Sequence, residues 1–146
     1  MTEFQITIDC AEPDRLARFW AEALRYELQE PPAPHESWSA YWVSVGMPEE
    51  EADDGYDSII DPSGGRPRVW FQVVPEAKSL KNRLHFDLLV GGGRGVAIES
   101  RILSVQAEAD RLVALGATLL KVMDNSHMNH YAIAMADPEG NEFDIV

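Results

Sequence analysis

The sequence predicts an α+β protein of two tandem βαβββ modules, related by a pseudo-two-fold axis and paired into an incomplete barrel, a cup. Three observations carry that prediction. The turn Asp-Pro-x-Gly occurs twice, each time at the end of an apolar strand, at Asp61 to Gly64 and Asp137 to Gly140. Each half opens with an alternating strand that leads into a helix bearing Asp-Arg-Leu, at Asp14 to Leu16 and Asp110 to Leu112. The strands after the two turns match residue for residue, Phe71-Gln-Val-Val74 against Phe143-Asp-Ile-Val146. A repeat of this length organises a whole chain, so it outranks any single motif.

The first module, residues 1–76, begins with a strand over Phe4 to Asp9. The next helix places Leu16, Phe19, Trp20, Ala23 and Leu24 on one stripe, and Pro13 suits its first turn. Strands follow at Tyr26 to Glu30, from Tyr56 into the first Asp-Pro turn, and at Val69 to Val74. In that turn the Asp side chain caps, Pro fixes φ at the second position and Gly relaxes the fourth. The second module, residues 82–146, repeats the order. Its strand Leu84 to Leu89 leads to a helix with Ile98, Ile102, Val105, Ala109, Leu112 and Leu115 inward, ended by Gly116. Strands at Thr118 to Val122, from Tyr131 into the second turn, and at Glu142 to Val146 complete it. Two segments break the symmetry. Pro31 to Gly55 is Pro-rich, then Trp-rich, then acidic, with a further strand expected over Ala40 to Val45. Gly91 to Gly95 fits neither nucleotide-binding glycine pattern and reads as a flexible loop.

At 146 residues the chain fits one domain with an ordinary core. A net charge of −13 argues against nucleic acid and anionic membranes as partners. Cys10 is the only cysteine, so no intrachain disulfide forms, and no stretch is apolar enough for a membrane span. The N-terminal residues lack the pattern of a secretory signal, and a cytoplasmic location is expected.

Alternation splits each strand into two faces. Phe4, Ile6, Ile8, Val69, Phe71, Val73, Leu84, Phe86, Leu88, Phe143 and Ile145 form the apolar side, which must pack under the helices. Gln5, Thr7, Asp9, Arg68, Trp70, Gln72, His85, Asp87, Leu89, Glu142, Asp144 and Val146 form the other side, polar but for Trp70, Leu89 and Val146. One wet face is ordinary for an antiparallel sheet. The halves correspond, however, Gln5 to His85 and Gln72 to Asp144, so a two-fold axis would bring all four to a common centre. His85 and Asp87 share a face two residues apart, an imidazole–carboxylate pair suited either to proton transfer or to a structural contact. Thr7, Trp42, Trp70, Tyr131 and Glu142 are the candidate pocket residues. Trp38, Tyr41 and Trp42 fall within five residues of each other, a density that fits a lid over a flat ligand or an interface.

This pattern resembles the vicinal oxygen chelate superfamily, and within it the small bacterial glyoxalase-like proteins. The resemblance runs over Gln5 to Cys10, Asp14 to Leu24, Val69 to Glu76, Asn82 to Leu88, Arg111 to Thr118 and Met135 to Val146, the last being the most specific. It implies paired βαβββ modules around a small-molecule site, and in metal-dependent members a divalent cation held from the first and fourth strand of each half. Those positions are Gln5, Gln72, His85 and Asp144 here, a donor set open to zinc, nickel, iron or manganese. Glyoxalase-type sites carry a glutamate where this chain has Gln72, and Asp144 is shorter than their fourth ligand, so methylglyoxal–glutathione isomerisation is not expected. Two functions follow. One is a lyase or isomerase acting on a small oxygenated metabolite with His85, Asp87 and Asp144 as its catalytic centre. The other is a non-catalytic protein that sequesters an aromatic or antibiotic-like compound. A homodimer is expected from the open sheet edges and from the resemblance.

Overall fold

A computed structural model of the chain describes residues 2–146, so Met1, the first residue of the first module, lies outside the described residues. The chain divides into two compact units, one ending at Ala77 and the other spanning Lys78–Val146. The fold is α+β, with a four-stranded open sheet in each unit. Among the described residues no helix is long and apolar enough to cross a membrane.

In the first unit β1 (Ile6–Cys10) leads to α1 (Pro13–Leu24), followed by β2 (Glu27–Leu28), α2 (Trp38–Ser44), β3 (Ser58–Ile60) and β4 (Val69–Val73). The strand order is β1-β4-β3-β2, with β1 and β4 parallel and the other pairs antiparallel. The second unit repeats it: β5 (Asp87–Leu88), α3 (Ile98–Ala114), β6 (Thr118–Asn125), β7 (His130–Ala136) and β8 (Glu142–Ile145), in the order β5-β8-β7-β6. Again the first and fourth strands are parallel and the rest antiparallel.

Each unit has its own core. Leu16, Phe19 and Trp20 of α1 are buried with Ile59, Val69 and Phe71. Val105 and Leu112 of α3 are buried with Ile133, Met135, Phe143 and Ile145. Each such side chain contributes about 1.5–3 kcal/mol by leaving water. Gly116, at φ +109, ends α3 by sending its N–H to Val113 O while Ala117 N–H reaches Leu112 O, which satisfies two terminal carbonyls.

The two Asp-Pro-x-Gly turns close alike. Gly64 N–H meets Asp61 O and Gly140 N–H meets Asp137 O, both at 2.9 Å, and both glycines have positive φ. Each aspartate also accepts N–H groups two and four residues ahead: Ser63 and Gly65 at Asp61, Glu139 and Asn141 at Asp137.

Four elements differ from expectation, the first being the strand expected over Tyr26 to Glu30, which pairs only over Glu27–Leu28. Ala40 to Val45 lies in helix α2 and the turn after it, not in a strand. The cause is local: Ser37 Oγ caps the helix by accepting Ala40 N–H, and Trp38 and Trp42, four residues apart, stack with centroids 5.5 Å apart. The strand expected over Leu84 to Leu89 shrinks to Asp87–Leu88. Leu84 and Leu89 are exposed, so no packing draws their segments into the sheet. β6 instead runs on to Asn125, with an irregularity between Leu119 and Lys121.

Candidate functional site

Strand β5 emerges from a short irregular segment and is held at one end by Asp144 N–H donating to Phe86 O at 2.9 Å. Its ladder pairs Asp87 with Asp144 on β8. Residues two apart share a face, so His85, Asp87 and Asp144 meet on the side away from the Phe143–Ile145 core. His85 Nε2 stands 3.3 Å from Asp87 Oδ1 and 3.6 Å from Asp144 Oδ2. Asp144 is half-buried while Asp87 and His85 are more open. Among the described residues these three form a group whose ligand atoms lie within 4.8 Å of one another. An imidazole nitrogen and two carboxylate oxygens on an accessible face suit a divalent ion with places left for water or substrate. Asp87 was legible in the sequence as a proton-transfer partner. Its place as a third ligand depends on ladder register, which sequence alone does not give.

Glu142 lies on the same face of β8, two residues before Asp144, but it faces the entering chain. Its carboxylate accepts Asn82 N–H at 2.9 Å and pairs with Lys78 Nζ at 3.1 Å. The Asn82 N–H, with Lys78 beside it, pulls the Glu142 carboxyl down from 4.5 to about 2. Glu142 therefore clasps the segment that carries His85.

The first unit has a different polar face. Its ladder pairs Asp9 with Gln72, so Thr7, two residues before Asp9, occupies the place that His85 holds relative to Asp87. Gln5 does not correspond to His85. It precedes Ile6, the partner of Val69, four ladder places from Gln72, or about 13 Å at ~3.3 Å per residue. Its Oε1 accepts Arg68 Nη1 at 2.8 Å, and a guanidinium so close disfavours a metal cation on that oxygen. Thr7 is exposed beside half-buried Trp70, whose indole N–H donates to Asp57 Oδ2 at 3.0 Å.

Two pocket candidates prove to be held elsewhere. Tyr131 sits on the helix side of β7, buried, and its hydroxyl takes a hydrogen bond from Gln106 of α3. It alternates with Ala132 and Ala134 and so cannot frame the Asp144 face. Trp42 belongs to an aromatic cluster with Trp38, Tyr41 and His35, anchored where buried Trp38 donates its indole N–H to Gln29 O.

The sequence matches the glyoxalase-like domain family over residues 5–146. No curated protein matches it. Solved structures share the fold at low identity. A hypothetical protein, SA1046, from Staphylococcus aureus is 12% identical with a TM-score of 0.60, covering 99% of this chain and 92% of its own. A glyoxalase/bleomycin resistance protein/dioxygenase family enzyme from Burkholderia phytofirmans is 17% identical at 0.57, covering 97% and 94%. A mutant of the fosfomycin resistance protein FosX from Listeria monocytogenes, complexed with Mn(II) and a dihydroxypropylphosphonic acid, is 11% identical at 0.57, covering 99% and 90%. With the family match spanning nearly its full length, the chain belongs to the glyoxalase-like domain family.

Proposed function

We propose that this chain is a metal-dependent glyoxalase-like enzyme, of lyase or isomerase type, whose reacting centre is His85, Asp87 and Asp144. The observation that carries it is the approach of His85 Nε2 to both carboxylates on an accessible sheet face. His85 Nε2 with one oxygen each from Asp87 and Asp144 would hold the ion, whose presence in the FosX relative supports the reading. A divalent ion there supplies Lewis acidity toward a carbonyl or hydroxyl oxygen, which suits a small oxygenated metabolite. The chain's own part is to fix the three donors and to present carboxylate that takes a proton from the substrate. Gln72, neutral at the fourth-strand position of the first unit, cannot act as a base, so methylglyoxal–glutathione isomerisation is expected to be absent.

Metal analysis of protein purified without chelator tests this. About one equivalent of manganese, zinc, nickel or iron, lost in His85→Ala with the fold intact, is the expected result. Failure to bind any of these metals overturns it. The aromatic cluster around Trp38 and Trp42 favours a second reading, sequestration of a flat compound without catalysis. Metal-free protein whose tryptophan fluorescence is quenched by aromatic ligands, unchanged in His85→Ala, is the outcome that selects it.

A further inference from the structure

Two of the described arginines are held by uncharged oxygens: buried Arg101, by Asn129, and half-buried Arg68, by three separate residues. Arg15, Arg18, Lys78 and Arg111 each lie against a carboxylate. Arg68 does not, although the chain carries 25 acidic residues. Its guanidinium is held by three uncharged oxygens instead: Nε donates to Gln29 Oε1 at 2.5 Å, Nη1 to Gln5 Oε1 at 2.8 Å and Nη2 to Ser58 Oγ at 2.5 Å. A guanidinium has five N–H donors, so two remain, one on each terminal nitrogen. The charge is therefore oriented but not neutralised by its direct partners, an arrangement suited to a bidentate oxyanion.

The surroundings suit the rest of a ligand. Arg68, the residue before β4, and Trp70 on it are two residues apart; Ile6 N–H donates to Arg68 O and continues the β1 pairing, so the two side chains share the face away from α1. The Trp70 indole is fixed by Asp57, whose other oxygen takes the Ser58 hydroxyl that also receives Arg68. Gln29 joins the group to the aromatic cluster, its side chain on Arg68 and its backbone oxygen on Trp38. We infer that Arg68 anchors an oxyanion site in the first unit, taking the carboxylate or phosphate of a small molecule whose flat part lies against Trp70. The site uses none of the metal-centre residues and goes beyond the proposed enzymatic reading.

The test uses the full chain in chelator, so the metal reading is not at stake. Benzoate and phenyl phosphate are the charged probes and benzamide the neutral control, followed through the Arg68 Nε–H and Trp70 indole N–H resonances. Saturable shifts with both charged probes are expected, with benzamide at least about tenfold weaker, the scale of one lost charge-assisted hydrogen bond. A difference between benzoate and phenyl phosphate then assigns the preferred oxyanion. Arg68→Lys keeps the charge but not the fork and should weaken binding by about tenfold. Arg68→Gln should abolish it. If loss of Arg68 impairs folding, Gln5→Ala is the second variant: it frees one further donor and should bind the probes at least as tightly. Equal binding of benzoate and benzamide, or no saturable shift with any probe to tens of millimolar, overturns the proposal and leaves Arg68 as a staple between strands.

Discussion

Replacing Glu142 separates the residues that form the reacting centre from the one that holds its approach in place. Its carboxylate ties Asn82 at 2.9 Å and Lys78 at 3.1 Å, and both precede His85 in an otherwise irregular stretch. Hydrogen bonds to a charged group contribute about 1.5–3 kcal/mol each. The Glu142 side chain is 23% exposed, which favours the lower end of that range. Glu142→Ala is therefore expected to cost about 2–3 kcal/mol, roughly 5–10 °C in Tm for a chain of this size. Glu142→Gln keeps an oxygen for Asn82 and loses only the charge, so it should cost about 1 kcal/mol. The pH dependence has a definite sign. Folding lowers this carboxyl from 4.5 to about 2, so its stabilisation is complete above the upper value and disappears as pH falls toward the lower. The gap between wild type and Glu142→Gln should close over that window. Urea unfolding across pH, on metal-free protein, measures the gap, and hydrogen exchange at the Asn82 amide reports the clasp directly. Glu142→Ala within about 0.5 kcal/mol of wild type, with Asn82 exchange unchanged, would refute the reasoning.

Two further outcomes follow from the turns and the glycine loop. Asp137 is buried and accepts from Glu139 N–H, Asn141 N–H and the Asn141 side chain, so Asp137→Ala should cost about 3–4 kcal/mol in urea unfolding. Gly140→Ala should cost about 1–2 kcal/mol because its φ is +87, whereas Gly95→Ala, with open space at its Cβ and no positive φ, should stay within about 0.5 kcal/mol in the same assay.

What the sequence revealed depended on how local the cause was. The Asp-Pro-x-Gly turns were legible because Asp, Pro and Gly each act within four or five residues, and the structure closes them by those same contacts. The apolar faces of α1 and β8 were legible from periodicity, whereas in β4 and α3 it held only in part: Val73, expected on the packed face, and Leu115, expected inward, are exposed, and Arg101 is buried in α3. β5 was read too long because apolar alternation over Leu84 to Leu89 signals a strand only where a partner packs against it. Ala40 to Val45 was read as a strand because tryptophan, tyrosine and valine favour sheets, and the Ser37 cap outweighed that preference. Arg68 was passed over because Gln5, Gln29 and Ser58 converge on it only through strand pairing. Its one sequence signal was alternation with Trp70 and Gln72 on the polar face.

The repeat also misleads about chemistry. The match of Phe71 with Phe143 and the pairing of Asp9 with Gln72 and Asp87 with Asp144 set Thr7 against His85, Gln72 against Asp144, Trp70 against Glu142 and Arg68 against Gly140. None of these four pairs keeps its residue type, and three of them differ in charge at neutral pH. The two modules share what the backbone needs, the Asp-Pro turn and the inward Phe, and a lost turn or core ring would destabilise either module by about 3 kcal/mol or more. The polar face carries no such constraint, and there the two modules differ. The second gathers an imidazole and two carboxylates, which attract a cation. The first sets a guanidinium among neutral oxygens, which attracts an anion and repels a metal from Gln5. Carrying a metal-ligand set across from one half to the other by sequence alignment assumes a symmetry that only the backbone retains.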